Sequence, residues 1–344
     1  MKVPNYIHFT DDPTTTLIEI IESAKPDKLA LLVDENTRLW CLPLLERFSA
    51  DLIIEIESGE KNKNLNTCQN IWQELTTAGF SRKSIMVNLG GGVIGDMGGF
   101  CASTFKRGIR FVNIPTTLLA AVDANIGGKL GIDFMGFKNH IGVFNNPMAV
   151  IVTDKFLDTL PKRELRSGYA EVIKHGLIAD EKYFEKLRDS TFPEMDWQEI
   201  IRHSIGIKGS VVAEDPLEKG RRKILNFGHT LGHAIETYYL NNEKSLLHGE
   251  AIACGMILEA HISYQQKLLS KQSLEMICDY LSSIYEPVVI PTISEINELM
   301  IHDKKNVGMT INFSLINAIG SCLFDQQVSD KMITEAVYCY GNLK

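Results

Sequence analysis

The chain has no CxxC pair, no apolar signal core in its opening MKVPNYIHFTDDP and no apolar run near the roughly 20 residues that a membrane span requires. Internal repeats and low-complexity stretches are missing too. So is any excess of positive charge: 35 Lys and Arg against 43 Asp and Glu give a formal net charge of -8. That balance argues against nucleic acid or an anionic membrane as the main partner, although cations can still gather locally around a small anion. The seven cysteines, Cys41, Cys68, Cys101, Cys254, Cys278, Cys322 and Cys339, are odd in number and scattered. Such usage fits a reducing compartment with the thiols buried as small hydrophobes, so a cytoplasmic location is expected.

What is present suits a globular protein of ordinary composition. The 344 residues are 44% hydrophobic and 23% charged, enough for two domains with their own cores. In the first 150 or so, KLALLVDEN, ADLIIEIE, SIMVNLGGG, IRFVNIPTT and MAVIVTD read as strands, with TTLIEIIESA and LNTCQNIWQELTTAG as helices between them. This alternation predicts a parallel sheet covered on both faces. After about Asp154 helical periodicity dominates, from PKRELRSGYAEVIKHGLI to DKMITEAVYCYG, and only TINFSLINAIGSCLF suggests a late hairpin. The expected architecture is α/β plus all-α: a Rossmann-like nucleotide-binding domain over 1–154, a helical domain over 155–344, and a cleft between them.

The densest chemistry lies in RRKILNFGHTLGHAIE and LLHGEA. Residues four apart on a helix share a face, so Arg222, Asn226, His229 and His233 are expected to form one polar stripe along a single helix. A bare HxxxH is more often two incidental histidines on a solvated face. Here His248, followed by Gly249 and Glu250 at the start of another apolar run, offers a third imidazole at a helix entrance, and catalytic zinc takes three protein ligands with a fourth position open.

The strand SIMVNL runs into Gly90, Gly91, Gly92, Val93, Ile94, Gly95 and Asp96, which satisfies GxGxxG between a strand and a helix. Glycines there let backbone N–H groups approach a pyrophosphate, although tight strand-to-helix packing alone would also call for them. The ribose-binding acid usual about 20 residues on is missing, but Asp34 closes the first strand. Lys129, which follows Asp123 in VDANIGGK, and Lys138, which precedes Asn139 in GFKNHIGVF, could build a cationic pocket with Arg107, Lys174, Lys208 and Arg222 if the fold brings them together.

Taken in order, GGGVIGDMGGF, KRGIRFVNIPTTLLAAVDANIGGK, FKNHIGVF, LPKRELRSGYAEVIKHGLI, LNFGHTLGHAIE and LHGEA resemble the 3-dehydroquinate synthase family, from about Asp34 to His248, with a weaker echo in HDKKN near Asp303. The resemblance implies an NAD- and zinc-dependent lyase, with cobalt an acceptable metal. Such enzymes convert 3-deoxy-D-arabino-heptulosonate 7-phosphate to 3-dehydroquinate and phosphate in the shikimate pathway of aromatic amino acid biosynthesis. It implies Glu171, His229 and His248 as metal ligands and moves His233 from the metal to proton transfer at the hydroxyl that is oxidised. Arg107, Asp123, Lys129, Asn139, Lys174, Lys208, Arg222, Asn226 and one of Lys304 and Lys305 match positions around substrate. NAD would meet Gly91, Gly92, Val93, Asp96, Thr116 and Thr117, with Asp34, Glu60 and Lys63 toward the adenosine, and Lys129, Lys138, Thr159 and Glu164 completing the site. A homodimer is expected. Many relatives read GGKTGVN where this chain has Leu130 and Asp133 in GGKLGID. The alternatives are another sugar phosphate cyclase, whose substrate would lack the carboxylate that Lys208, Arg222 and Asn226 match, a polyol dehydrogenase of the glycerol dehydrogenase type, and a catalytically dead NAD-binding regulator.

Overall fold

A computed structural model describes residues 1–135, 137–240, 246–301 and 311–342. They form two compact units, Met1–Leu165 with Trp197–Gly209, and Arg166–Asp196 with Ser210–Lys344. The sequence-based division at 154 differs from this one. Two continuous helices, α5 (Lys162–Ala179) and α7 (Trp197–Glu214), each begin in the first unit and end in the second, and counting strands cannot detect that.

In the first unit the elements are β1 (Ile7–Phe9), α1 (Pro13–Ala24), β2 (Leu29–Asp34), α2 (Glu35–Trp40), β3 (Leu52–Ile56), α3 (Leu65–Thr77), β4 (Ile85–Gly90), α4 (Gly92–Thr104), β5 (Arg110–Pro115), β6 (Lys129–Phe134), β7 (Phe137–Phe144) and β8 (Ala149–Val152). Six strands make a parallel sheet in the order β1-β8-β5-β4-β2-β3. Period-2 alternation sorts its side chains: Ala30, Leu32, Met86 and Phe111 pack with α3 and α4 on one face, and Leu31, Val33, Val87 and Ile114 with Leu17 of α1 on the other. β1 is too short to announce itself by periodicity. The antiparallel pair β6–β7 hides in sequence behind its Gly and Asn residues, which read as loops.

β2 and β4 are neighbours, and the connection after β2 runs to β3 on one side while that after β4 runs to β5 on the other. In open α/β sheets the carboxyl ends at such a reversal form the ligand crevice. Here they carry Asp34 and Gly90–Gly92.

The second unit holds the rest of α5 and α7, α6 (Glu181–Asp189), α8 (His229–Tyr239), α9 (His248–Gln265), α10 (Lys271–Ile284), α11 (Ile293–Ile301) and α12 (Asp330–Gly341), with the antiparallel hairpin β9 (Asn312–Ala318) and β10 (Ser321–Gln327). α9 is buried nearly all round and packs against α8, α10 and α12, as its unbroken small and apolar run AIACGMILEA requires. One expectation is corrected. RRKILNFGHTLGHAIE is not one helix: Arg221–Asn226 form a 3-10 turn, the chain reverses at Gly228 (φ 78), and α8 starts only at His229. A side chain at Gly228 would also meet Met256, its Cβ 2.5 Å from Cγ. Among the described residues no helix is long and apolar enough to cross a membrane.

Candidate metal and cofactor sites

Three side chains of metal-ligating type converge in the second unit. Glu171, in the middle of α5, is fully buried, and its Oε1 lies 3.5 Å from His229 Nε2 and 3.4 Å from His248 Nε2. All three ligand atoms lie within 4.8 Å of one another. His229 and His248 are the first residues of α8 and α9. Gly249 makes the approach of α5 and α9 possible, because a Cβ there would stand 1.9 Å from the Ser167 carbonyl oxygen, and its N–H donates to Ser167 Oγ at 3.0 Å.

The rings are held from behind. His229 Nδ1 lies 3.1 Å from the Phe227 carbonyl oxygen, and His248 Nδ1 lies 3.3 Å from Glu236 Oε2. Burial opposes a charge on His248, but the Glu236 carboxylate and hydrogen bonds to Glu171 and Glu236 outweigh it and push the pKa up to about 9. His233 follows on the same face of α8, its ring centroid 5.0 Å from that of His229 and 5.8 Å from that of His248. With Glu236 and His248 it makes a second convergent group, so this geometry suits His233 both to a metal and to proton transfer.

The second oxygen of Glu171 accepts a hydrogen bond from the buried Lys174. Arg222 is buried in the 3-10 turn, off the α8 stripe, where Nη1 donates to the Pro216 carbonyl at 2.6 Å and its backbone N–H donates to Asp215. Asn226 Nδ2 donates to Glu218 Oε1 at 2.9 Å.

The first unit gathers most of the remaining positions. α4 starts at Gly92 with Gly91 as a cap that has no side chain, and a Cβ at Gly91 would come within 3.2 Å of Thr117. These are the features of a backbone surface that a phosphate can approach. Deeper in α4, a Cβ at Gly98 would collide with Asn88, which begins a buried amide relay through Asn113 to Asn125. Close packing therefore explains some of these glycines, and an open backbone the others. Lys63 is buried and donates to Asp96 at 2.7 Å and to Asn139 at 2.6 Å, with Glu60 beside both Lys63 and Lys138. Asn139 adopts φ 49, and its N–H donates to Asp133 at 2.7 Å. Thr116 and Thr159 both lie beside the Cys41 thiol. Asp34 caps α2 through Thr37. Asp123 sits in a π-helical turn, a form enriched at functional sites, and Lys208 donates to its carbonyl at 2.6 Å and its carboxylate at 2.5 Å. Val93 and Glu164 are half-buried in the first turns of α4 and α5, while Arg107 and Lys129 are exposed. Lys304 and Lys305 lie outside the described residues.

Two buried carboxylates escaped the sequence reading. Glu236 falls on the His229–His233 face at the next helical spacing, a signal that was there to be read. Glu259 had none, because what it binds is backbone: the N–H groups of Gly228, Thr230 and Leu231.

Comparison with known proteins places this geometry. Residues 53–167 match the family model described as 3-dehydroquinate synthase N-terminal, and residues 168–306 match 3-dehydroquinate synthase C-terminal. The 3-dehydroquinate synthase of Parabacteroides distasonis is 40% identical over 337 residues, 96% of each chain. Among solved structures, the fold is shared with 2-epi-5-epi-valiolone synthase of Streptomyces hygroscopicus subsp. jinggangensis, with NAD+ and Zn2+ bound, at TM-score 0.88, 23% identity and coverage of 99% and 98%. A 2-deoxy-scyllo-inosose synthase complexed with carbaglucose-6-phosphate, NAD+ and Co2+ aligns at TM-score 0.81 and 25% identity, covering 96% and 95%. With both family models matched over most of its length and a relative this similar from end to end, the chain belongs to the 3-dehydroquinate synthase family.

Proposed function

We propose that this protein converts 3-deoxy-D-arabino-heptulosonate 7-phosphate to 3-dehydroquinate and phosphate, as a cytoplasmic homodimeric enzyme of aromatic biosynthesis. The observation that carries the reading is the convergence of Glu171, His229 and His248, in a family whose name is the reaction. A buried carboxylate oxygen facing two imidazole Nε2 atoms is a donor set that suits zinc or cobalt. The crevice at Gly91–Gly92 suits the diphosphate of NAD, with Val93, Asp96, Thr116 and Thr117 around it, Asp34, Glu60 and Lys63 toward the adenosine, and Lys129, Lys138, Thr159 and Glu164 as further contacts. When bound, the metal would polarise the substrate hydroxyls, and NAD would take and later return a hydride.

The chain's own groups supply the rest. His233, on the His229 face of α8, is assigned the proton of the hydroxyl that is oxidised. Lys174 balances the charge of Glu171, Lys129 and Lys174 would offer charge-assisted hydrogen bonds to the departing phosphate, and Arg107 is assigned to the substrate's surroundings. Arg222, held through Nη1 by the Pro216 carbonyl, presents a planar fork suited to the substrate carboxylate. Lys208 and Asn226 join it, and Asp123 and Asn139 orient hydroxyls.

The test is phosphate release from the heptulosonate phosphate, with and without NAD, while absorbance is followed at 340 nm. Phosphate should appear only with NAD, with no net NADH, because oxidation and reduction cancel within each turnover. Stoichiometric NADH from a simple polyol would point to a dehydrogenase. Turnover only of sugar phosphates that lack the carboxylate would point to another cyclase.

A further inference from the structure

We propose that Glu236 is a positioning residue for the metal centre, holding the Nδ1–H of His248 and so aiming Nε2 of that ring at the ion; the proposal rests on the metal reading above. The carboxylate is buried, 6% exposed, and lies on α8 three residues after His233 and seven after His229, on the ligand-bearing face. Its Oε2 is 3.3 Å from His248 Nδ1, while on the far edge of that ring Nε2 lies 3.4 Å from Glu171 Oε1.

The tautomer follows from the partners' chemistry. For His229, the Phe227 carbonyl 3.1 Å from Nδ1 can only accept, so Nδ1 carries the hydrogen and the Nε2 lone pair faces Glu171. An ionised Glu236 likewise only accepts, which gives His248 the same tautomer and the same focus. The two supports differ in charge. A carbonyl orients its ring, whereas a carboxylate also makes the imidazole a stronger donor to a metal. α8 thereby contributes one ligand directly and fixes the ligand of α9 through Glu236, which holds the two helices in register at the ion.

The test is zinc affinity by chelator competition for wild type, Glu236→Gln and Glu236→Ala. It is run at alkaline pH so that proton competition at the imidazoles stays out of the comparison, with melting of each metal-free protein and visible spectra of the cobalt-loaded forms. The expected result is affinity about 10-fold weaker for Glu236→Gln and up to about 100-fold weaker for Glu236→Ala, in step with the usual effect of such partners. The metal-free Glu236→Gln protein should melt cooperatively, and its cobalt bands should shift. Wild-type affinity and spectrum in both variants would overturn the proposal while leaving the metal reading intact. Complete loss of metal from Glu236→Gln would make Glu236 a ligand and also overturn it. A wild-type chain that takes up no zinc would remove the metal reading and this proposal together.

Discussion

The carboxylate of Glu259, fully buried in α9, accepts the N–H of Gly228 at 2.6 Å and, through its other oxygen, those of Thr230 and Leu231 at 3.1 and 3.2 Å. α8 has no side-chain cap of its own, so its first turn is capped from the neighbouring helix. Glu259→Gln turns an amide NH2 toward backbone donors, and hydrogen bonds to a charged group are each worth about 1.5–3 kcal/mol. A loss of about 2–4 kcal/mol in denaturant unfolding is expected, with weaker zinc uptake because His229 opens the capped turn. Stability within about 0.5 kcal/mol of wild type would mean that the cap is dispensable.

Gly249 gives a second handle on the same site. Gly249→Ala places a methyl group 1.9 Å from the Ser167 carbonyl oxygen, so α5 and α9 must part. Overpacking of this kind costs about 1–3 kcal/mol. The larger expected effect is on metal content, since Glu171 and His248 lie on the two helices being separated. Elemental analysis after dialysis should show zinc well below wild type, and full occupancy would refute the link.

The metal-free protein should depend on pH through His248. Its folded-state pKa, about 9, lies above the ordinary value of 6.5, so its contribution to stability is complete below about 6.5 and disappears as pH rises through about 9. Chelator-treated protein should therefore melt at progressively lower temperature across that interval. Zinc affinity should rise over the same range, because the ligand must be neutral. Melting that is flat or rises between those pH values would contradict the assignment.

The Asp133 carboxylate accepts the N–H of Asn139, which adopts the left-handed conformation, at 2.7 Å. Asp133→Asn keeps an acceptor oxygen and should change kcat/KM by less than about threefold. Asp133→Ala removes the acceptor of the Asn139 N–H and should lower kcat/KM by about tenfold, roughly 1.4 kcal/mol. Steady-state kinetics of the two variants settle the point: equal losses would mean that the charge matters rather than the hydrogen bond.

Sequence alone determined what near neighbours encode. The β-branched runs alternating with helices specify a sheet covered on both faces, and the four-residue spacing of His229 and His233 puts them on one side of α8. The glycines after SIMVNL mark a strand-to-helix turn, and the family resemblance implies Glu171 and His248 as partners although they lie 77 positions apart. Tertiary structure decided the rest. Arg222 and Asn226 leave the helical stripe because Gly228 turns left-handed against Met256, a contact made across helices that no local pattern contains. Whether Glu171 could face both imidazoles depended on how closely α5 and α9 approach, and a missing Cβ at Gly249 sets that distance. Glu259 binds backbone N–H groups, which every sequence has, so only the packed structure could show where its charge goes.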